Sequence, residues 1–165
     1  MEKIAIRAGL TRATLYNLFS GKEEIAETIV GEKVGVWDSD IRRRLNDGDD
    51  PLQLIVESLR RNADTCLAYP RIALSVLTSP QRRMASASNS YPSFRHLILD
   101  LARAAQAAKL LRADLQPDAL MFIIMGLYVQ FMIHLIATGD AMLPDAIAQL
   151  IRTTCEGIGP RKRAR

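Results

Sequence analysis

The residues best suited to chemistry in this chain crowd near its start: Thr11, Arg12, Ala13, Thr14, Tyr16, Asn17 and Lys22. Apart from the small Ala13, they supply hydroxyls, a guanidinium, a carboxamide and an ammonium, all able to donate hydrogen bonds. No acid–base pair stands among them. Donors in this grouping suit the binding of phosphates and base edges rather than the making and breaking of bonds.

Two short elements must hold them. Ile4, Ala5 and Ala8 recur at i, i+1 and i+4, which predicts a first helix. Gly9 can take positive φ at the turn that follows. Thr11 is a good N-cap for a second helix over about 12–19, with Leu15, Leu18 and Phe19 on its buried side. Arg12, Ala13, Thr14, Tyr16 and Asn17 then face outward. Ala5 is small where the two helices cross. This is a helix-turn-helix, and its exposed N-terminal half fits the major groove of double-stranded DNA. Arg12 is the candidate for reading guanine, with Ala13 and Asn17 as further base-facing positions.

The run AGLTRATLYNLFSGKEE, residues 8–24, also resembles a known family. It is similar to the end of the DNA-binding domain of TetR-type bacterial transcriptional repressors, with Thr-Leu-Tyr, Phe and Lys at that family's fixed offsets. The direct resemblance covers about residues 1–30. It implies phosphate contacts from Thr11, Thr14, Tyr16 and Lys22, hydroxyls and an ammonium near helix N-termini. Leu18 departs from the pattern, standing where the family usually has His. Family members place a further helix and a short arm before the motif, so the expectation is a head whose first helix is missing. The resemblance further implies a dimer, whose last two long helices form a four-helix bundle with their copies, and a small apolar effector in the body.

Charge is distributed unevenly. The chain has a formal net charge of +4, but Arg161, Lys162, Arg163 and Arg165 contribute as much by themselves. Lys3, Arg7, Arg12 and Lys22 against Glu2 make the head basic, so the body between must be mildly acidic. That localises phosphate binding to the head. The tail 160–165 reads as a solvated basic end.

With 48% hydrophobic and only 5% aromatic residues the body is aliphatic, and its periodicity is helical throughout. Helices are predicted over about 22–46, 51–68, from Pro70 through Leu77, 93–112, 117–137 and 144–156, with a Ser-rich loop over 79–92. The expected apolar side of the 22–46 helix is Ile25, Ile29, Val36, Trp37, Ile41 and Leu45. The organisation is therefore a DNA-binding domain and linker helix over 1–46, a ligand-binding and dimerisation domain over 47–159, and the tail. The fold class is all-α: a helix-turn-helix head plus a helical body.

Residues 119–137 carry no formal charge, enough length to span a membrane. Gln130 and His134 on one face, the Tyr128 hydroxyl and the lack of basic flanks favour a helix buried by its own core and by a partner subunit. Phe122, Met125, Val129, Met132, Ile133 and Ile136 offer more apolar surface than one small domain covers, and Gly126 permits close approach. A homodimer through helices 117–138 and 144–156 is expected, with no membrane partner.

No catalytic residues are expected: the chain has no G-x-S-x-G, P-loop or G-x-G-x-x-G pattern. His96 and His134 lie on separate helices without Cys or carboxylate at ligand spacing, so neither metal nor cofactor is expected. Cys66 and Cys155 have no C-x-x-C spacing. A disulfide between them is compatible with the sequence, and a reduced cytoplasmic protein is the simpler reading. Candidate lining residues for an effector are Trp37, Cys66, Tyr69, His96, Met121, Met125 and Tyr128, where Met adapts to apolar shapes and the ring tips orient. The same positions also suit ordinary core. The alternative function is a helical dimer with an incomplete head, acting through a partner or a small molecule.

Overall fold

The structure, a computed structural model, describes residues 1–78, 93–139 and 144–157, apart from several side chains of the last segment. The Ser-rich loop over 79–92, the side chain of Cys155 and the basic tail 160–165 lie outside the described residues. Every regular element among those described is helical: α1 (Glu2–Arg7), α2 (Arg12–Leu18), α3 (Lys22–Asn46), α4 (Pro51–Ala68), α5 (Pro70–Thr78), α6 (Phe94–Ala107), α7 (Pro117–Thr138) and α8 (Pro144–Gly157).

Local chemistry explains most of the boundaries. Asp50 caps α4 by accepting from the Leu52 and Gln53 amides, and Pro51 occupies the first helical position, where its missing N–H costs nothing. Pro117 opens α7 in the same way, and Gly139 closes it at φ 67°. One boundary departs from expectation. The helix predicted to reach residue 112 stops at Ala107, because Lys109 takes a left-handed φ of 60° and the chain turns in to bury Leu111. The Gln106 carboxamide stabilises the reversal, donating to the carbonyls of Arg112 and Leu115 at 2.9 and 2.8 Å. Ala108, just past the end of α6, is exposed.

The body is built around α4, α6 and α7. Leu54, Ile55 and Leu59 of α4, Leu97, Ile98 and Leu101 of α6, and Leu120, Ile124 and Met132 of α7 are fully buried together. α3 lies along α4 and α6, and α8 packs on α4 and α7. The core-facing line of α3 is Val34, Asp38, Ile41 and Leu45; Ile41, Leu45 and the core-packed Trp37 are as expected, and Val34 and Asp38 are not. Val36, placed on the apolar side by its type, is 79% exposed, and the charged Asp38 takes the inner position instead. Helix geometry decides this: once Val34 and Ile41 are inside, position 38 must lie between them.

The head is thin. Ala5 and Leu15 are its fully buried pair, closing the crossing of α1 and α2 as the small Ala5 predicts. Leu18, expected inside, is 58% exposed, since α2 ends there and Phe19 turns to an extended conformation that leaves its ring half-buried. Ile4 is likewise largely exposed. α1 and α2 pack on each other and on none of α4–α8, so α3 is the connection between head and body.

Candidate nucleic-acid interface and effector core

α2 is begun by the hydroxyl of Thr11, which accepts from the Thr14 amide at 3.1 Å and shares a 2.8 Å hydrogen bond with the Thr14 hydroxyl. Leu15 points into the head, and Arg12, Ala13, Thr14, Tyr16 and Asn17 all point out, as the spacing requires. Arg12 lies over the ring of Tyr16, 5.7 Å from its centroid, one helical turn apart. This contact steadies a long cation on the exposed face of the helix. Lys22 is exposed at the first position of α3, so all seven sequence-derived positions lie on the head's open surface.

The turn between α2 and α3 is held by Glu24. Its carboxylate accepts from the Ser20 amide at 2.6 Å and the Ser20 hydroxyl at 2.7 Å, and these two bonds hold its pKa below the usual carboxylate value. That clasp ties Ser20, just after α2, to the first turn of α3. Glu24 has no base-reading chemistry, and sequence reasoning passed over it; the Ser-x-x-x-Glu spacing was its only signal.

Lys3, Arg7, Arg12 and Lys22 form no ion pair among the described residues. Arg42, Arg43, Arg44, Arg61, Arg103 and Arg112 in the body all do. Unneutralised cations on a small, exposed unit attract polyanions.

The effector candidates separate into two groups. Trp37 meets Phe94 edge to face at 5.8 Å, and Phe94 meets Tyr128 at 6.2 Å. The Tyr128 hydroxyl donates to Asn62 Oδ1 at 2.8 Å, and the Cys66 thiol reaches the same oxygen at 3.6 Å. Met121 and Met125 are buried in that core. Trp37, Cys66, Tyr128 and the two methionines thus belong to one packed core. His96 does not: it sits on the outer side of α6, exposed. Tyr69, 47% exposed, borders a cavity of about 10 Å³ between α3, α4 and α5, where Ile29, Val30, Cys66 and Ala73 also stand. That space holds no more than one water.

Three residues of this core escaped the sequence reading. Phe94 begins a helix and looked like ordinary core. Asn62 is polar and gave no sign of burial in the sequence, yet it is 5% exposed. Asp38 is 6% exposed, one oxygen accepting from Arg42 Nε at 2.8 Å and the other, Oδ1, buried with no hydrogen-bond partner. Arg42 also donates to Asp100 at 2.7 Å, tying α3 to α6. Burial opposes the Arg42 charge, but the bonds it donates to Asp100 and Asp38 outweigh it, so its pKa is raised.

α7 is apolar all round, the one helix among the described residues long and apolar enough to cross a membrane, with a mean hydropathy of 2.1. Its inner line, Leu120, Met121, Ile124, Met125, Tyr128, Met132 and Leu135, packs in the body core. Met125 and Met132, expected at a subunit interface, therefore serve their own chain, and Val129 and Ile136 lie partly buried against the same core. The bare line is Phe122, Ile123, Gly126, Leu127, Gln130 and His134. Gly126 faces open space, and Arg95 of α6 lies over the Phe122 ring at 4.9 Å.

No family model and no curated protein matches the chain. A solved structure from work on the molecular basis for control of antibiotic production by a bacterial hormone is similar, with a TM-score of 0.52 and 22% identity. The match covers 95% of this chain and 82% of that one. The likeness is one of fold: an all-α chain with a helix-turn-helix head on a helical body.

Proposed function

We propose that this chain is a ligand-responsive transcriptional regulator of the TetR type: a homodimeric cytoplasmic repressor, not an enzyme, that binds a pseudo-palindromic DNA site and is released by a small apolar effector. The observation carrying the reading is the exposed α2, with Arg12, Thr14, Tyr16 and Asn17 outward and the head's cations unpaired. The similar fold includes a protein from work on a bacterial hormone, which supports a small-molecule signal for the body. Residues 1–46 read as the DNA-binding unit with the linker helix α3 that joins it to the body, and 47–159 as the sensing and dimerising unit.

The bare line of α7 supports dimerisation. Phe122, Ile123 and Leu127 repeat along one helix, and a two-fold axis would set them against their own copies. A specific contact of this kind buries at least about 1,000 Å². Light scattering of wild type should give a dimer and Phe122→Asp a monomer, and a wild-type monomer at micromolar concentration would refute the interface. For DNA, selection from a random duplex pool should return a two-fold symmetric consensus; recovery of unselected sequences would refute specific reading.

A second reading keeps the dimer but gives the head no part in DNA binding. The thin head core favours it, with only Ala5 and Leu15 fully buried there among the described residues. Hydrogen exchange separates the two: protected amides in α2 belong to the first reading and unprotected ones to the second.

A further inference from the structure

The strongest anomaly in the body is Asp38. Its residue is 6% exposed, it sits between Val34 and Ile41 on the core-facing line of α3, and Oδ1 has no partner. A carboxylate oxygen buried in an apolar core is costly unless something donates to it. Arg42 supplies one donor to the other oxygen and spends a second on Asp100, so the guanidinium is already divided between two carboxylates.

The surroundings indicate what is missing. Asp40 pairs with Arg61, and Arg44 with Glu57, which fixes α3 and α4 antiparallel and brings Asp38 level with Asn62. Asn62 Oδ1 is taken by Tyr128 and by Cys66. Beside Asp38 in sequence, Trp37 opens the string of rings that continues through Phe94 to Tyr128. The neighbourhood therefore combines aromatic faces, apolar walls and one unused acceptor with negative charge.

We propose that Asp38 is the polar anchor of the effector site and that the effector carries a hydrogen-bond donor, a protonated amine or a hydroxyl, on an apolar aromatic-sized frame. This rests on the effector-responsive reading above and narrows its ligand class. A carboxylate accepts and does not donate, so an anionic head meets repulsion at Oδ1 while an ammonium or hydroxyl completes it. Among the described residues the cavity that Cys66 and Tyr69 border, between α3, α4 and α5, is about 10 Å³, too small for a ligand. Binding therefore parts Trp37 and Phe94, and because Trp37 belongs to α3, the displacement acts on the helix that bears the head.

The test uses three compounds of one shape: phenylbutylamine, phenylbutanol and phenylbutanoate, titrated into the full chain at neutral pH by calorimetry with Trp37 fluorescence as a second readout. The amine and the alcohol should each bind at least about tenfold tighter than the acid. Asp38→Asn should shrink the amine-to-acid ratio about tenfold while leaving the alcohol within about threefold, because the amide keeps an acceptor and loses the charge. The wild-type ranking stands without that variant. In addition, the carboxyl-carbon resonance of Asp38 should shift on saturation with the amine and stay in place with the acid. Equal or tighter binding of the acid, binding of none of the three, or a ratio unchanged in Asp38→Asn each overturns the proposal, the second outcome leaving an ordered water as the partner of Oδ1. Such failures leave DNA binding by α2 untouched, since that is read on duplex DNA without any of these compounds.

Discussion

Head and body solve opposite problems with the same residue types. In the body, the arginines along α3 and its neighbours are consumed at home: Arg44 joins Asp49 and Glu57, Arg61 joins Asp40 and Glu57, and Arg42 joins Asp38 and Asp100, whereas Arg60, Arg71, Arg95 and Arg152 stay unpaired among the described residues. In the head, Lys3, Arg7, Arg12 and Lys22 pair with no carboxylate among the described residues. The body also has a continuous core over α3–α8, against one buried pair in the head. Stability has been concentrated where shape must be kept, and unspent charge where another molecule must be met. A unit with few buried contacts is the one expected to adapt to a partner.

The largest effect that probes this contrast is in the core. Leu97→Ala should destabilise the body by roughly 2–5 kcal/mol, while Ile6→Ala, at a 73% exposed head position, should change global stability by less than about 0.5 kcal/mol. Urea unfolding checks both, and a comparable loss from the two would erase the contrast. Next comes the ion-pair system. Arg42→Ala strips Asp38 of its one donor and should cost about 3 kcal/mol, below the value for a wholly buried pair because Arg42 is itself 38% exposed. Double replacement with Asp38→Leu should recover most of the loss.

In the head the same kind of deletion should move binding, not folding. Arg12→Ala should weaken the preferred DNA by about 2 kcal/mol and relax one base pair per half-site. Lys22→Ala should instead weaken all sequences alike and lower the salt slope by about one unit per subunit. Equal, sequence-independent losses from both, measured by anisotropy at several salt concentrations, would reduce Arg12 to a phosphate clamp. Thr11→Ala removes the cap of α2 and should cost about 1 kcal/mol locally, seen as faster exchange of the first amides of that helix.

The smallest effect is a pH dependence of the α2–α3 turn. The Ser20 amide and hydroxyl lower the pKa of Glu24, so their contribution is full above the ordinary carboxylate pKa and is lost as the pH falls through the lowered folded value. The Ser20 amide resonance should titrate there in acid, and Glu24→Gln should abolish that titration. A Ser20 resonance indifferent to acid would show that the clasp is not formed in solution.

Much of this molecule is written in short-range chemistry. Thr11, Asp50-Pro51, Pro117 and Gly139 announce their helix ends because a cap, a missing N–H or a positive φ acts within a few residues. The outward set on α2 was legible for the same reason, since Leu15 faces in and the 3.6-residue period assigns the rest.

Only the tertiary structure decided matters in which several placements satisfy the local rules. α7 is apolar on nearly every side, with Gln130 and His134 the few polar marks of its outer face; packing against α6 assigned Met125 and Met132 to the core and left Phe122 and Leu127 bare. On α4, Asn62 is inside because Tyr128, far along the chain, supplies a donor to its carbonyl oxygen. On α6, Leu111 draws the chain inward and ends the helix at Ala107, although the residues beyond favour continuing it. The same holds for Asp38. Its charge argues for solvent, but Val34 and Ile41 on either side are held in the core, Arg42 pairs with one of its oxygens, and a rigid helix cannot turn one position out of a line whose neighbours are held in.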